Sequence, residues 1–269
     1  MARAKTLRAK PQSHESQGRP SAAFDEAAPI AGVQGSGKWL VAQYYPTAPF
    51  SLKISLATSS VGKSLVVATP YAIKMAFVDA AFRAGLPDDQ CSLLLRSLVG
   101  VTVRIAPPAA AVVTHTFLKV RQESRDSDPL RPYIATISYR EIVHHHGMWR
   151  WAFDLTQGDE SMAGRLAMVA PYVSYIGKRG SFVQFHGLCR LGELGSEFTQ
   201  PVQNEGPWVR PCKAHIVPLD DFGPEADMET LSSFSVGKPK RERHRCFVQT
   251  IIPLGMTNSG PGFSEYRAE

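Results

Sequence analysis

Residues 69–85 read TPYAIKMAFVDAAFRAG, and this stretch decides the fold class of the chain. Thr69 is suited to cap a helix, Pro70 to stand in its first turn and Gly85 to end it. Two adjacent apolar stripes at helical spacing contain Ile73, Phe77, Ala80 and Ala84, and Tyr71, Met75, Val78 and Phe82. Because so wide an apolar surface needs cover on most sides, we predict a largely buried helix that lies on a sheet.

Strand-like stretches lie on both sides of this helix. Before it stand 39–44 and 51–58; after it stand 99–105, 111–120, 132–143, 148–155, 181–186, 208–217 and 246–253. A second helix is predicted over 161–175 with a break at Pro171. We also predict that residues 132–155 form a long hairpin that turns near His146 and Gly147. The order β, α, β, β hairpin, α, β is that of a ferredoxin-like unit, so the fold class is α+β.

The 269 residues divide into an arm and one domain. Residues 1–36 have no apolar period and are rich in Ala, Gln, Ser, Gly and Pro, so we predict a disordered basic arm. Residues 37–269 are predicted to form a single α+β domain with an irregular insertion near 219–245. No uncharged apolar run approaches the ~18–20 residues needed to span a bilayer, and no secretory signal stands at the N-terminus. We therefore expect a cytoplasmic protein without a membrane partner.

The positive charge is concentrated in two places. The chain carries a net charge of +6, yet residues 1–21 alone have five cations against Glu15. Residues 238–245 have another five cations against Glu242. Because these two segments exceed the surplus of the whole chain, the remainder is close to neutral. The pattern fits a polyanionic partner such as nucleic acid, although solvated basic tails give the same pattern.

Two glycine-containing loops carry lysine, but neither fits a P-loop. Gly32–Lys38 matches GxxxxGK, yet Trp39 stands where the Mg²⁺-binding hydroxyl belongs and a strand follows where a helix is required. A second loop contains Lys63 and Ser64 and lacks the first glycine of the motif. We predict no nucleotide cofactor, and we expect Lys63 and Ser64 to contact an RNA phosphate, with a plain surface loop as the alternative.

The stretch Tyr175–Phe182, YIGKRGSF, is the most suggestive local signature. Gly177 and Gly180 bracket Lys178 and Arg179 between a helix and a strand. Backbone amides and two cations together make a phosphate-binding corner. The alternative is a helix C-cap whose cations complement the helix dipole.

Residues 144–151 combine histidines, tryptophans and an arginine. In a strand, His144 and His146 share one face and His145 points away, so the three cannot converge on a metal. Strand alternation places Trp149 and Trp151 on one face, and we expect at least one of them in the core. Arg150 is expected to contact RNA from the predicted hairpin. No CxxC, GxSxG or HExxH motif is present, so we predict no metal site and no catalytic residues.

Three stretches carry a family resemblance. They are the early strand Phe50–Thr58, the Ser-Val-Gly-Lys and Ala-Thr-Pro-Tyr-Ala-Ile segments before and within the first helix, and Tyr175–Phe182. Together they resemble the RAMP superfamily of CRISPR-associated proteins, and more narrowly the Cascade subunit that binds the 5′ handle of CRISPR RNA. The resemblance spans about 39–255. It implies a ferredoxin-like (RRM-like) palm and an extended β-hairpin thumb.

The resemblance also implies partners and a function. The partners would be the CRISPR guide RNA, other Cascade RAMP backbone subunits and a large subunit, with target DNA read by pairing to the guide. We hypothesise a non-catalytic RNA-binding subunit that holds handle phosphates with Lys63, Ser64, Lys178 and Arg179, and touches RNA with Arg150. The alternative is a metal-independent endoribonuclease that processes precursor CRISPR RNA, with His145, Lys178 and Tyr175 as candidates.

Overall fold

The computed structural model describes residues 37–54, 62–123, 133–156, 160–202, 214–231 and 239–268. Its strands are β1 Trp39–Pro46, β2 Val103–Ala106, β3 Ala110–Glu123, β4 Tyr133–His146, β5 Trp149–Asp154, β6 Val183–Leu191, β7 Gln200–Pro201, β8 His215–Phe222, β9 Arg245–Ile252, β10 Gly255–Gly260 and β11 Phe263–Arg267. Its helices are α1 Pro70–Arg83, α2 Asp88–Leu98, α3 Glu160–Val169 and α4 Met228–Leu231. The predicted α+β class is confirmed.

A central antiparallel sheet has the strand order β2-β5-β1-β6. In the chain, α1 and α2 stand between β1 and β2, and α3 stands between β5 and β6. Leu40, Ala42 and Tyr44 of β1 are buried in one cluster with Phe77 of α1 and with α2 and α3 residues. Since the helices cover this face of the sheet, the main core lies between the sheet and the helices.

Helix α1 forms as the sequence predicts. The Thr69 side chain accepts a hydrogen bond from the Ala72 backbone N–H, and Pro70 is the first helical residue. Gly85 follows the last turn with φ +81°, a left-handed conformation that favours glycine. Ile73 and Phe77 are fully buried, as is Lys74, whose Nζ lies 2.6 Å from Asp221 Oδ1 on β8. The helix is therefore covered by β8 as well as by the central sheet.

The second predicted helix is also confirmed, whereas α2 is an addition. Helix α3 ends at Val169 and a short 3-10 turn over Ala170–Tyr172 follows, which is the break predicted at Pro171. Helix α2 was not predicted from the sequence. It buries Cys91, Leu94, Leu95 and Leu98 beside α1 and α3.

The predicted hairpin over 132–155 is wrong. Strand β4 pairs with β3 along its whole length, from Ala110–His146 to Glu123–Tyr133, while β5 pairs with β1 and β2 in the central sheet. Gly147, with φ +106°, stands where the chain passes from one sheet to the other. Trp149, Trp151 and Phe153 alternate into the core under the helices, so burial of these rings decides the partner of β5.

Two further sheets, of four and three strands, complete the described fold. One has the order β10-β11-β3-β4 and contains the long β3–β4 hairpin; the other has the order β7-β9-β8. The hairpin of β10 and β11 was not predicted. The predicted strand over 51–58 is not found in residues 51–54, which form only an isolated bridge between Lys53 and Ser64. Residues 1–36, 55–61 and 203–213 lie outside the described residues, and with them the predicted arm.

Neither a membrane span nor a metal cluster is found in the described ranges. None of the described helices is both long and apolar enough to cross a bilayer. Within the same residues, no group of three or more His, Cys, Asp or Glu side chains is arranged to hold a metal ion.

Candidate nucleic-acid interface

The two predicted phosphate-binding loops contact the same short segment, residues 50–54. The Ser51 backbone N–H donates to Ser181 Oγ at 3.3 Å, next to the loop that contains Lys178 and Arg179. On the other side, the Leu52 N–H donates to Ser64 Oγ at 3.0 Å. The Leu65 N–H donates to the Leu52 carbonyl at 2.8 Å. The fold thus brings two cationic loops that are far apart in sequence into contact with one segment.

The loop after α3 is a tight turn with two exposed cations. Tyr175 bridges to Phe182, the Ile176 N–H donates to the Ser181 carbonyl at 3.1 Å, and Gly177 and Gly180 have φ +68° and +103°. A side chain at position 177 would meet Leu52 Cδ1 at 3.0 Å. The loop is therefore fixed against the 50–54 segment, and it presents Lys178 and Arg179 to solvent.

Lys178 and Arg179 do not cap a helix. Helix α3 ends at Val169 and the 3-10 turn that follows ends at Tyr172. The dipole of a helix acts within its last turn, so it does not account for cations six residues or more beyond. Of the two interpretations of the YIGKRGSF stretch, the geometry argues against the helix cap, and phosphate binding stays a prediction.

Lys63 and Ser64 take different roles. Lys63 is exposed. The Ser64 hydroxyl accepts from the Leu52 N–H and donates its proton to the Leu65 carbonyl at 2.9 Å. The Ser64 N–H donates to Glu141 Oε2 at 2.8 Å. Because a phosphate oxygen needs a donor and the Ser64 proton is already committed, Ser64 positions this loop, while the exposed Lys63 remains the candidate for phosphate contact.

Arg150 does not lie on the hairpin, contrary to the prediction. It stands on β5, where it pairs across the strands with Gln43 and Ala106. Its Nη1 lies 3.4 Å from Glu197 Oε1, and its guanidinium lies 5.3 Å from the centre of the Phe198 ring. The reason is the change of sheet at Gly147, which moves Arg150 into the central sheet. Its contact with RNA stays a prediction.

One face of the β3–β4 hairpin combines aromatic and cationic side chains. Phe117 stands opposite Tyr139 and Lys119 opposite Ile137, and strand alternation puts Arg121 on the same face. The Phe117 and Tyr139 rings lie 5.0 Å apart in an edge-to-face contact, and Phe117 is 71% exposed. Exposed rings beside cations are what single-stranded nucleic acid uses for base stacking and phosphate contact. In the sequence these residues alternate as they do in a strand. The incorrect pairing of residues 132–143 with 148–155 hid the fact that β3 and β4 share this face.

His145 is half-buried, and both of its ring nitrogens are inaccessible, so it is not an accessible base. Its Nε2 lies 2.8 Å from the Val66 carbonyl, and its ring contacts the rings of Phe50 and Trp149. Burial lowers the pKa of His145 to about 4. His144 and His146 are exposed on the opposite face, as the strand pattern predicts. The endoribonuclease hypothesis thereby loses the general base that it assigned to His145.

The two tryptophans lie in the core, and the arginines of the basic run pair with carboxylates. Trp149 and Trp151 are both buried, so the core prediction is confirmed for both. In the basic run, Arg241 pairs with Glu242, Arg243 with Glu225 and Arg245 with Asp220. The three arginines of residues 239–245 are thus balanced by carboxylates of the same chain, which makes this run a weaker candidate for RNA than the loops at 63 and 178.

These features define an α+β protein with a cationic and aromatic surface suited to single-stranded nucleic acid. No family model and no curated protein matches the sequence. The solved structures that are similar to it include the following two. One is a crystal structure of a CRISPR protein from Archaeoglobus fulgidus, with 12% identity and a TM-score of 0.44, covering 86% of this chain and 92% of that chain.

The second similar structure is a CRISPR RNA-guided surveillance complex. The identity is 15% and the TM-score 0.35, with 81% of this chain and 89% of that chain covered. Because both TM-scores are below 0.5, neither likeness carries an argument about this chain, and any assignment of function depends on its own residues.

Proposed function

We propose that this chain is a non-catalytic RNA-binding subunit of a type I CRISPR surveillance (Cascade) complex, and that it caps the 5′ handle of the guide RNA. The observation that carries the proposal is that the loops containing Lys63 and Lys178–Arg179 both contact residues 50–54, through Ser64 and Ser181. The resemblance of the sequence to RAMP proteins, described above, supplies the identity of the RNA.

The strand order supports a ferredoxin-like palm. The elements β1, α1, β2, β5, α3 and β6 follow the chain order of a β-α-β-β-α-β unit, with β1 and β5 in the middle of the sheet. The β3–β4 hairpin stands in the chain between β2 and β5, where it extends the unit as a thumb. In this proposal the palm holds the two cationic loops, and the thumb adds the aromatic face.

Each part of the surface has a distinct role in the proposal. Lys63, Lys178 and Arg179 contact backbone phosphates, and Ser64 holds the loop that presents Lys63. Bases stack on Phe117 and Tyr139 of the thumb. Arg150 is a secondary contact, because its guanidinium is already engaged by Glu197.

The proposed partners are the guide RNA, neighbouring RAMP backbone subunits and a large subunit, in the cytoplasm. Target DNA is reached only through pairing with the guide. Residues 37–269 act as one domain with an insertion near 219–245, and the basic residues 1–36 form an arm before it. The proposal needs no cofactor and no metal ion.

The test is the salt dependence of RNA binding. Lys178→Ala combined with Arg179→Ala should weaken RNA binding and reduce the slope of log K against log salt by about one to two. The thermal midpoint should change little, because both side chains are exposed. The matched control is Arg241→Ala with Arg243→Ala, which removes the same charge where carboxylates already balance it.

The control should leave the slope close to that of the wild-type chain. An unchanged slope and affinity in the Lys178/Arg179 variant would show that this loop does not bind phosphate.

A further inference from the structure

A cleft of about 250 Å³ opens at the base of the hairpin, beside Lys63. Five separate parts of the chain line it: Ile54, the loop at 63–66, the hairpin base, β8 and β11. Its polar lining includes Lys63, His115, Glu141, His215, Ser264 and Tyr266. None of these except Lys63 was singled out as a binding residue from the sequence.

Glu141 is fixed in the wall of the cleft. It is buried, its Oε1 lies 3.2 Å from His115 Nε2, and its Oε2 accepts from the Ser64 N–H. With both carboxylate oxygens engaged, Glu141 orients His115. The carboxylate can only accept, so it places a proton on His115 Nε2 and leaves Nδ1 as an acceptor in the neutral ring.

His215 and Tyr266 form the opposite wall. His215 Nδ1 lies 2.9 Å from the Leu254 carbonyl, which again can only accept, so Nε2 of the neutral ring is an acceptor. The His215 and Tyr266 ring centres lie 5.7 Å apart. Burial raises the pKa of the Tyr266 phenol, so the hydroxyl stays protonated at neutral pH. The wall therefore offers two aromatic rings, tilted by 47° to each other, with hydrogen-bonding groups at their edges.

The cleft is continuous with the aromatic face of the hairpin. The His115 ring makes an edge-to-face contact with Tyr139 at 5.6 Å, and Tyr139 contacts Phe117. His115, Phe117 and Lys119 lie on one face of β3, because they alternate along the strand. A strand of RNA that stacks on Phe117 and Tyr139 is thus led to the mouth of the cleft.

We propose that the cleft takes one unstacked nucleotide of this RNA, with its phosphate toward Lys63 and its base against Tyr266 and His215. This inference rests on the proposed function. The volume of about 250 Å³ lies just below the ~300–1,000 Å³ of typical ligand pockets, which suits one nucleotide and not two. Imidazole acceptors pair with the exocyclic amino group of adenine or cytosine, whereas uracil presents a carbonyl oxygen there. The cleft therefore selects an amino-bearing base.

The experiment compares the binding of ten-residue oligoadenylate and oligouridylate at pH 7.5 by fluorescence anisotropy. The wild-type chain should bind oligoadenylate about 5- to 30-fold more tightly. His215→Phe keeps the ring and removes the acceptor, so it should abolish this preference while leaving oligouridylate affinity within about twofold. Tyr266→Ala should weaken oligoadenylate binding by about 5- to 30-fold. His146→Phe, at an exposed position outside the cleft lining, is the matched control.

Thermal melting of each variant reports whether it is folded. If Tyr266→Ala does not fold, the binding data for His215→Phe decide the test. A wild-type chain without a base preference, or a preference that survives His215→Phe, overturns the cleft inference. In those cases the salt slope of the Lys178/Arg179 variant still supports the proposed function. A wild-type chain that binds neither oligonucleotide nor CRISPR repeat RNA overturns both.

Discussion

Phe77 packs helix α1 against the central sheet. It is fully buried, and its ring meets that of Phe153 on β5 edge to face at 4.9 Å. Phe77→Ala should lower the free energy of unfolding by about 3–5 kcal/mol through lost burial and a residual cavity. Urea unfolding measures this change. Phe82→Ala on the same helix is the control, because its side chain is 39% exposed and should cost well under half as much.

Loss of the packing between α1 and the central sheet should also displace the loop at Lys63, which leads into α1. RNA binding should therefore fall together with stability. A Phe77→Ala protein that melts within a degree or two of the wild-type chain would contradict the placement of α1.

His145 makes stability depend on pH. Its folded-state pKa of about 4 lies below the ordinary value of 6.5, so the unfolded chain binds the proton more strongly. The stabilisation is complete well above pH 6.5 and is lost as the pH falls toward 4, by about 1.5 kcal/mol between pH 6.5 and 5. His145→Gln should flatten urea-unfolding stability over this range. A wild-type and variant chain with parallel pH profiles would contradict the buried, neutral imidazole.

Local sequence signals predicted the roles of some residues well, but they could not predict contacts between residues far apart in the chain. Thr69, Ile73 and Phe77 behave as predicted because a cap and a buried stripe depend on residues within a few positions. Lys74 stands in the same helix, yet its partner Asp221 is on β8, far along the chain. Nothing in the spacing around Lys74 distinguishes a buried, paired lysine from a solvated one.

The aromatic face of the β3–β4 hairpin is proposed to stack on RNA bases, and a substitution on the opposite face provides the control. Phe117→Ala should weaken the binding of single-stranded RNA by about 5- to 30-fold, because an exposed ring that stacks on a base is removed. Leu118→Ala removes an exposed apolar side chain from the opposite face and should leave affinity nearly unchanged. Anisotropy titrations at one fixed salt concentration compare the two. Equal affinities in both variants would exclude this face from RNA binding.

At the level of elements, alternation identified strands but not their partners. Residues 132–143 and 148–155 both have the alternation of strands, and a short glycine turn between them favoured a hairpin. The partner of β5 was decided instead by burial of Trp149, Trp151 and Phe153 beneath the helices. Helix α2 is a different case: Cys91, Leu94, Leu95 and Leu98 have helical spacing, so its signal was present in the sequence.

For the whole molecule, each basic loop was predictable and their convergence was not. Glycine beside lysine marked the loops at 63 and 178 as separate candidates. Only the fold shows that both contact residues 50–54, through Ser51 and Leu52. Conversely, the net charge of residues 239–245 made this run a stronger RNA-binding candidate than the structure supports. Its arginines are paired with Glu225, Asp220 and Glu242. Charge in a sequence indicates a polyanion site only where the fold leaves it unbalanced.

The most direct test of the central claim is incubation of the purified full chain with CRISPR repeat RNA in EDTA, followed by native and denaturing gels of the same samples. The native gel reports binding and the denaturing gel reports the length of the RNA. The proposal predicts a salt-sensitive complex with RNA of unchanged length. RNA cut at a defined position would favour the endoribonuclease, and the absence of a complex at low salt would contradict RNA binding itself.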